Sequence, residues 1–260
     1  MSYSLTPVLI DLPKLRDLMG SKDLAVLQAV IKKNRQDMLA IDEMGDEFFE
    51  EFEKEIKADY KAFVAGDLSR VDLKQVYPDP PDDGDDIDDA DEVEDDDDDE
   101  GEPTRETTTG AALVHLILGG SMDPSKGYKY GYALCHLCEH LGRVPDHDSW
   151  CSIRSRSVEA VDAVLKKAGV KPKTFSVEGH LQYRGAPVAI PAPDDFPAIG
   201  YLTRDEARTL LPLLDPAKID AAIRNAPDDY QEWLETAIGE LRAWLEACVK
   251  TDRDLICFYG

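Results

Sequence analysis

The sequence predicts an α+β protein in which a mostly antiparallel sheet is covered by helices, one folded unit interrupted by a disordered acidic insert. Three observations predict it. Apolar runs of strand length stand near both ends of the chain, Val8-Leu9-Ile10 and Leu255-Ile256-Cys257-Phe258-Tyr259. Much of the chain between them places apolar residues three and four apart, the period of a half-buried helix. The tract from Asp79 to Glu102 carries 17 acidic residues and no basic one.

The first strand spans Tyr3 to Ile10. Leu12 to Met19 follows as a short helix closed by Gly20, and Ser21 is a good N-cap for a helix with Leu24, Leu27, Val30 and Ile31 on one face. A further helix from about Asp46 to Val64 lines up Phe49, Phe52, Ile56, Tyr60 and Phe63 as a core stripe.

The acidic tract repels itself and has almost nothing apolar to bury, so it cannot offset the entropy of ordering. It holds most of the net charge of −25, leaving about −8 for the rest. The chain therefore divides into an N-terminal strand with helices over 1–78, an acidic linker over 79–109, and the main α+β domain over 110–260. The N-terminal part is expected to pack on the main domain.

After the linker, Gly110 to Leu118 reads as a buried helix and Asp123 to Gly127 as a loop. Tyr130 to Leu141 reads as a helix stopped by Gly142, and Ser157 as the cap of a helix over Val158 to Ala168. Short strands are expected at Thr174–Val177, His180–Tyr183 and Pro187–Ile190, with Arg184-Gly185 turning between the last two. Ile199 to Leu202 is another strand. Thr203 and Glu206 form a capping box for a helix through Leu211. A long helix after Asp228 carries Tyr230, Trp233, Leu234, Ala237, Ile238, Leu241, Trp244, Leu245 and Cys248 on one stripe. Asp254 to Tyr259 is apolar nearly throughout, as in a strand buried on both faces.

Charge and cysteine usage bound the function. No cluster of Lys and Arg exists to neutralise phosphates, so nucleic acid is not an expected partner, nor is an anionic membrane. A basic protein partner is electrostatically allowed. No stretch has the length of a membrane span, and the N-terminus lacks the form of a signal peptide, so a cytoplasmic location is expected. Five cysteines, an odd number, fit reduced thiols.

Candidate chemistry is sparse. Walker-type, dinucleotide-binding and nucleophile-elbow motifs are absent. Cys135, Cys138, His147 and Cys151 have ligand types and spacing that could hold a structural zinc. The competing reading packs Cys135 and Cys138 as small apolar groups on one helix, and no cofactor is otherwise expected. His115, Tyr130, His180, Tyr183 and Arg184 could line a ligand cleft. Three functions follow: a non-catalytic protein-binding module of the immunity type, a small-molecule-binding protein or enzyme, and a structural zinc protein.

The order of several short motifs resembles the YfbM-like family of uncharacterised bacterial proteins. They are Ala112-Leu113-Val114-His115-Leu116-Ile117-Leu118-Gly119, Gly200-Tyr201-Leu202-Thr203 with Glu206-Ala207, and Glu240-Leu241-Arg242-Ala243-Trp244 before Leu255-Ile256-Cys257-Phe258-Tyr259. Arg184-Gly185-Ala186-Pro187 through Asp195-Phe196-Pro197 is similar to a related actinobacterial and planctomycete-type group. The resemblance implies an α+β fold and a bacterial cytoplasmic protein, and it supplies no catalytic residues.

Overall fold

The computed structural model describes residues 3–43, 108–145, 153–193 and 195–260. The acidic tract, the expected helix at 46–64, His147 and Cys151 lie outside them.

The described residues form an α+β arrangement around a three-stranded antiparallel sheet. Its strands are β1 (Leu5–Ile10), β2 (Ala198–Leu202) and β3 (Asp254–Tyr259), in the order β1-β3-β2. The central strand is thus the last in sequence. It pairs Leu5 with Tyr259 and Ile10 with Asp254 on one side, and Ala198 with Tyr259 and Leu202 with Leu255 on the other.

Alternation along the strands divides the core in two. Leu5, Leu9, Leu202, Leu255, Cys257 and Tyr259 belong to one cluster; Val8, Ile10, Ile199, Ile256 and Phe258 belong to the other. Because both faces are covered, every residue of β3 is buried.

The second face carries α1 (Leu12–Leu18), α2 (Leu24–Glu43), α3 (Thr109–Leu118) and α4 (Gly127–Leu141). The first carries α5 (Ser155–Lys167), α6 (Arg204–Leu210), α7 (Pro216–Ile223) and α8 (Asp228–Thr251). In α8, Leu234, Ala237, Ile238, Leu241, Trp244, Leu245 and Cys248 are buried as the spacing predicts, whereas Tyr230, expected at the start of the stripe, is exposed and Trp233 is half-buried.

Both outer edges of the sheet are occupied. Leu9 exchanges N–H···O bonds with Arg143, and Leu5 N–H donates to Ile153 O. Pro7, which has no N–H, sits between these two attachment points on the edge strand, where no ladder bond is lost. On the β2 side, Gly185 N–H donates to Ile199 O.

Asp254 closes one end of the sheet. Its carboxylate accepts from Leu12 N–H at 2.9 Å and from Arg204 N–H at 2.8 Å, the first residues of α1 and α6. One buried side chain thereby satisfies a free donor at the start of a helix on each face.

The strands expected at Thr174–Val177, His180–Tyr183 and Pro187–Ile190 do not form. Val177–Gln182 is a single π-helical turn, and the chain on either side is irregular. Asp162 on α5 explains the turn. Its carboxylate accepts from Val177 N–H at 2.6 Å and Glu178 N–H at 3.2 Å, as a capping side chain does. The turn lies against β2 at Gly200, where a Cβ would come within 2.3 Å of the Leu181 carbonyl carbon.

Three smaller corrections concern caps and ends. Asp23, not Ser21, accepts the free N–H groups of α2, from Ala25 and Val26. Ser157 is inside the first turn of α5, its Oγ accepting from Arg154 N–H at 2.6 Å. α4 begins at Gly127, so Tyr130 is helical rather than at a helix start. There the absence of a side chain at Gly127 lets Ala192 O approach; a Cβ would lie 2.1 Å from it.

Candidate functional site

The end of the sheet opposite Asp254 is covered by aromatic rings. Tyr259, at the end of β3, is the common neighbour of three others. Its ring centroid lies 5.7 Å from Phe196, 6.2 Å from Tyr3 and 6.5 Å from Tyr183. Tyr3 also stacks on Phe196 at 4.1 Å. The chain brings them together because β1 starts, β2 starts and β3 ends here. Tyr259 is buried, whereas Tyr3 is 36% and Tyr183 60% exposed. Burial, then Tyr259 and Glu178, push the Tyr183 hydroxyl above its ordinary range, so it stays protonated. That oxygen accepts from Gln182 Nε2 at 3.0 Å.

Arg184 makes other contacts. Its guanidinium lies 4.1 Å from the Tyr201 ring and donates to Tyr201 O at 2.9 Å. It forms a fork on Glu206, with Nη1 to Oε2 at 2.8 Å and Nη2 to Oε1 at 2.9 Å. Glu206 Oε2 also accepts from Thr203 N–H and Oγ1, the capping box that the sequence predicts. Burial alone would raise the Glu206 carboxyl; the bonds from Arg184 and Thr203 outweigh it and hold the group below its ordinary value. Glu206 also borders a cleft of about 260 Å³ with Thr174, Phe175, Leu202, Asp205, Thr209 and Leu210.

His115 and Tyr130 meet across α3 and α4, with Nδ1 2.7 Å from the phenol oxygen. That oxygen also accepts from Asp123 N–H at 3.0 Å. While that oxygen accepts from Asp123, its own O–H is free to donate to His115 Nδ1, an arrangement that suits the neutral imidazole carrying its proton on Nε2. Burial favours the same form, lowering the His115 pKa against the opposing pull of Asp123. The pair pins the loop after α3 to α4.

The remaining candidates are occupied structurally. His180 Nδ1 lies 3.1 Å from Ser176 N–H, and its ring packs near Phe175. The structure thus groups His115 with Tyr130, sets Tyr183 beside Tyr259, and sets Arg184 on Tyr201 and Glu206.

Cys135 and Cys138 lie on α4 with Leu134 and Leu137. Burial pushes the Cys135 thiol well above its ordinary range, and Cys138 as well; Cys248 in α8 is pushed up to about 12. Such thiols are poor nucleophiles. Among the described residues, no three His, Cys, Asp or Glu side chains converge as a metal site. Likewise no described helix is long and apolar enough to cross a membrane.

Tyr3, Phe196 and Tyr259 escape the sequence reading as an aromatic cluster. Tyr259 lies in a run that signals only burial, and strand order alone brings the other two to it.

No curated protein and no solved structure matches the chain. A family match covers residues 84–260, more than half the length, and it does not name the YfbM-like group. By that match the chain belongs to the DUF7691 family, a domain of unknown function.

Proposed function

We propose that the protein is a non-catalytic binding module for a basic protein, working in the cytoplasm in the manner of an immunity-type protein. The observation that supports this reading is the use of Arg184. It is a cation of the candidate surface, and Glu206 neutralises it with a two-bond fork. Tyr3, Tyr183, Glu178 and Asp195 are exposed, on a chain of net charge −25. Such a surface attracts cations and repels anions, and the long-range field steers a basic partner.

Calorimetric titration tests this with an arginine-rich peptide and with the same peptide carrying glutamate in place of arginine. The basic peptide binds and weakens as salt rises; the acidic one does not bind. Equal binding of the two, or none by either at low salt, rules the reading out.

A further inference from the structure

We propose that the aromatic ladder at the open end of the sheet is the contact surface, and that it receives arginine side chains of the partner with the guanidinium against the rings. This rests on the binding reading above and names where and how the basic partner is held.

The ladder has the make-up of an interface centre. Tyr183 and Tyr3 are exposed, and Phe196 and Tyr259 support them from beneath. Tyrosines are favoured at such centres because they offer a large, rigid area at low conformational cost. Gln182 further restrains Tyr183 through its hydroxyl.

Charge selects the occupant. Glu178 and Asp195 are exposed beside the ladder, the first five residues before Tyr183, whose N–H donates to Glu178 O, the second next to Phe196. Asp195 Oδ1 accepts the neighbouring Phe196 N–H at 2.8 Å. A cation over the rings therefore meets aromatic faces and carboxylates together, the two groups that bind guanidinium best.

The chain shows the same chemistry internally. Arg184 sits against Tyr201 while Glu206 takes its fork. Because Arg184 lies on Tyr201 and Glu206, this internal guanidinium does not occupy the ladder. Lysine fits less well, since its ammonium is more strongly hydrated and cannot lie flat on a ring.

The test uses the full chain, an arginine-rich peptide, calorimetry and two-dimensional NMR. Tyr183→Leu keeps an apolar side chain and removes the ring; it weakens binding roughly fivefold. Tyr183→Phe stays within about twofold, since the ring persists. A lysine version of the peptide binds the wild type more weakly, and Tyr183→Leu narrows that gap. Thermal melts confirm folding of each variant. If Tyr183→Leu and Tyr3→Leu both bind as tightly as wild type, with peptide-induced shifts confined to residues 79–102, the ladder is not the site, although the module still binds basic protein. If no variant and no wild type binds, both readings fall.

Discussion

The carboxylate of Asp254 accepts the backbone N–H of Leu12 at 2.9 Å, across 242 residues of sequence. The same carboxylate accepts Arg204 N–H, so α1, α6 and the central strand share one buried acceptor. Asp254→Ala leaves two helix starts without a partner in a place where water is excluded. The expected loss is about 2–4 kcal/mol. Asp254→Asn, which keeps one acceptor oxygen, loses less. Urea unfolding followed by circular dichroism measures both; a loss under about 0.5 kcal/mol for the alanine variant would show that the helices are held some other way.

The fork between Arg184 and Glu206 makes part of the stability depend on pH. The Glu206 carboxyl is held below its ordinary value of 4.5 in the folded protein. Its contribution is therefore complete above that value and is lost as pH falls through the lower, folded one. Glu206→Gln should be less stable than wild type at pH 7, with the difference closing toward pH 3. Because both side chains are partly exposed, the effect at pH 7 is modest. A difference between the urea midpoints that stays constant across this range contradicts the assignment.

His115 gives a second pH experiment, of the same sign, on the other face. Its folded pKa lies below the ordinary 6.5, chiefly through burial. The fold thus favours neutral His115, and stability falls as pH drops below 6.5 toward the folded value. Tyr130→Phe removes the phenol shared by His115 Nδ1 and Asp123 N–H, at a cost of about 1–2 kcal/mol. An NMR titration of the His115 ring should show a midpoint under 6.5, and one above it contradicts the burial account.

Legibility in the sequence followed the range of the forces involved. The long helix α8 and strand β3 could be read because a stripe or a continuous apolar run records burial directly. The capping box of Thr203 and Glu206 could be read because both partners lie within one turn. The segment at 174–190 could not. Its short apolar runs match a strand equally well, and the cap from Asp162 that makes a π-helical turn of it comes from another helix. The aromatic ladder was hidden for the same reason: strand order, not sequence spacing, makes Tyr3, Phe196 and Tyr259 neighbours. Tyr183 and Arg184 were identified as residues of interest, but their separate partners, Tyr259 for the one and Tyr201 with Glu206 for the other, are set by tertiary contacts.

The position of β3 between β1 and β2 also bears on how the protein is made. At translation rates of about 5–20 residues per second, the first strand leaves the ribosome some 10–50 seconds before the strand that bonds to it exists. During that interval α3 and α4 can already cover each other, but neither β1 nor β2 has a ladder, and Leu5, Val8 and Leu9 have no sheet to enter. Between the synthesis of β1 and that of β3 the nascent chain therefore exposes an unpaired apolar strand, open to chaperones or to a wrong partner.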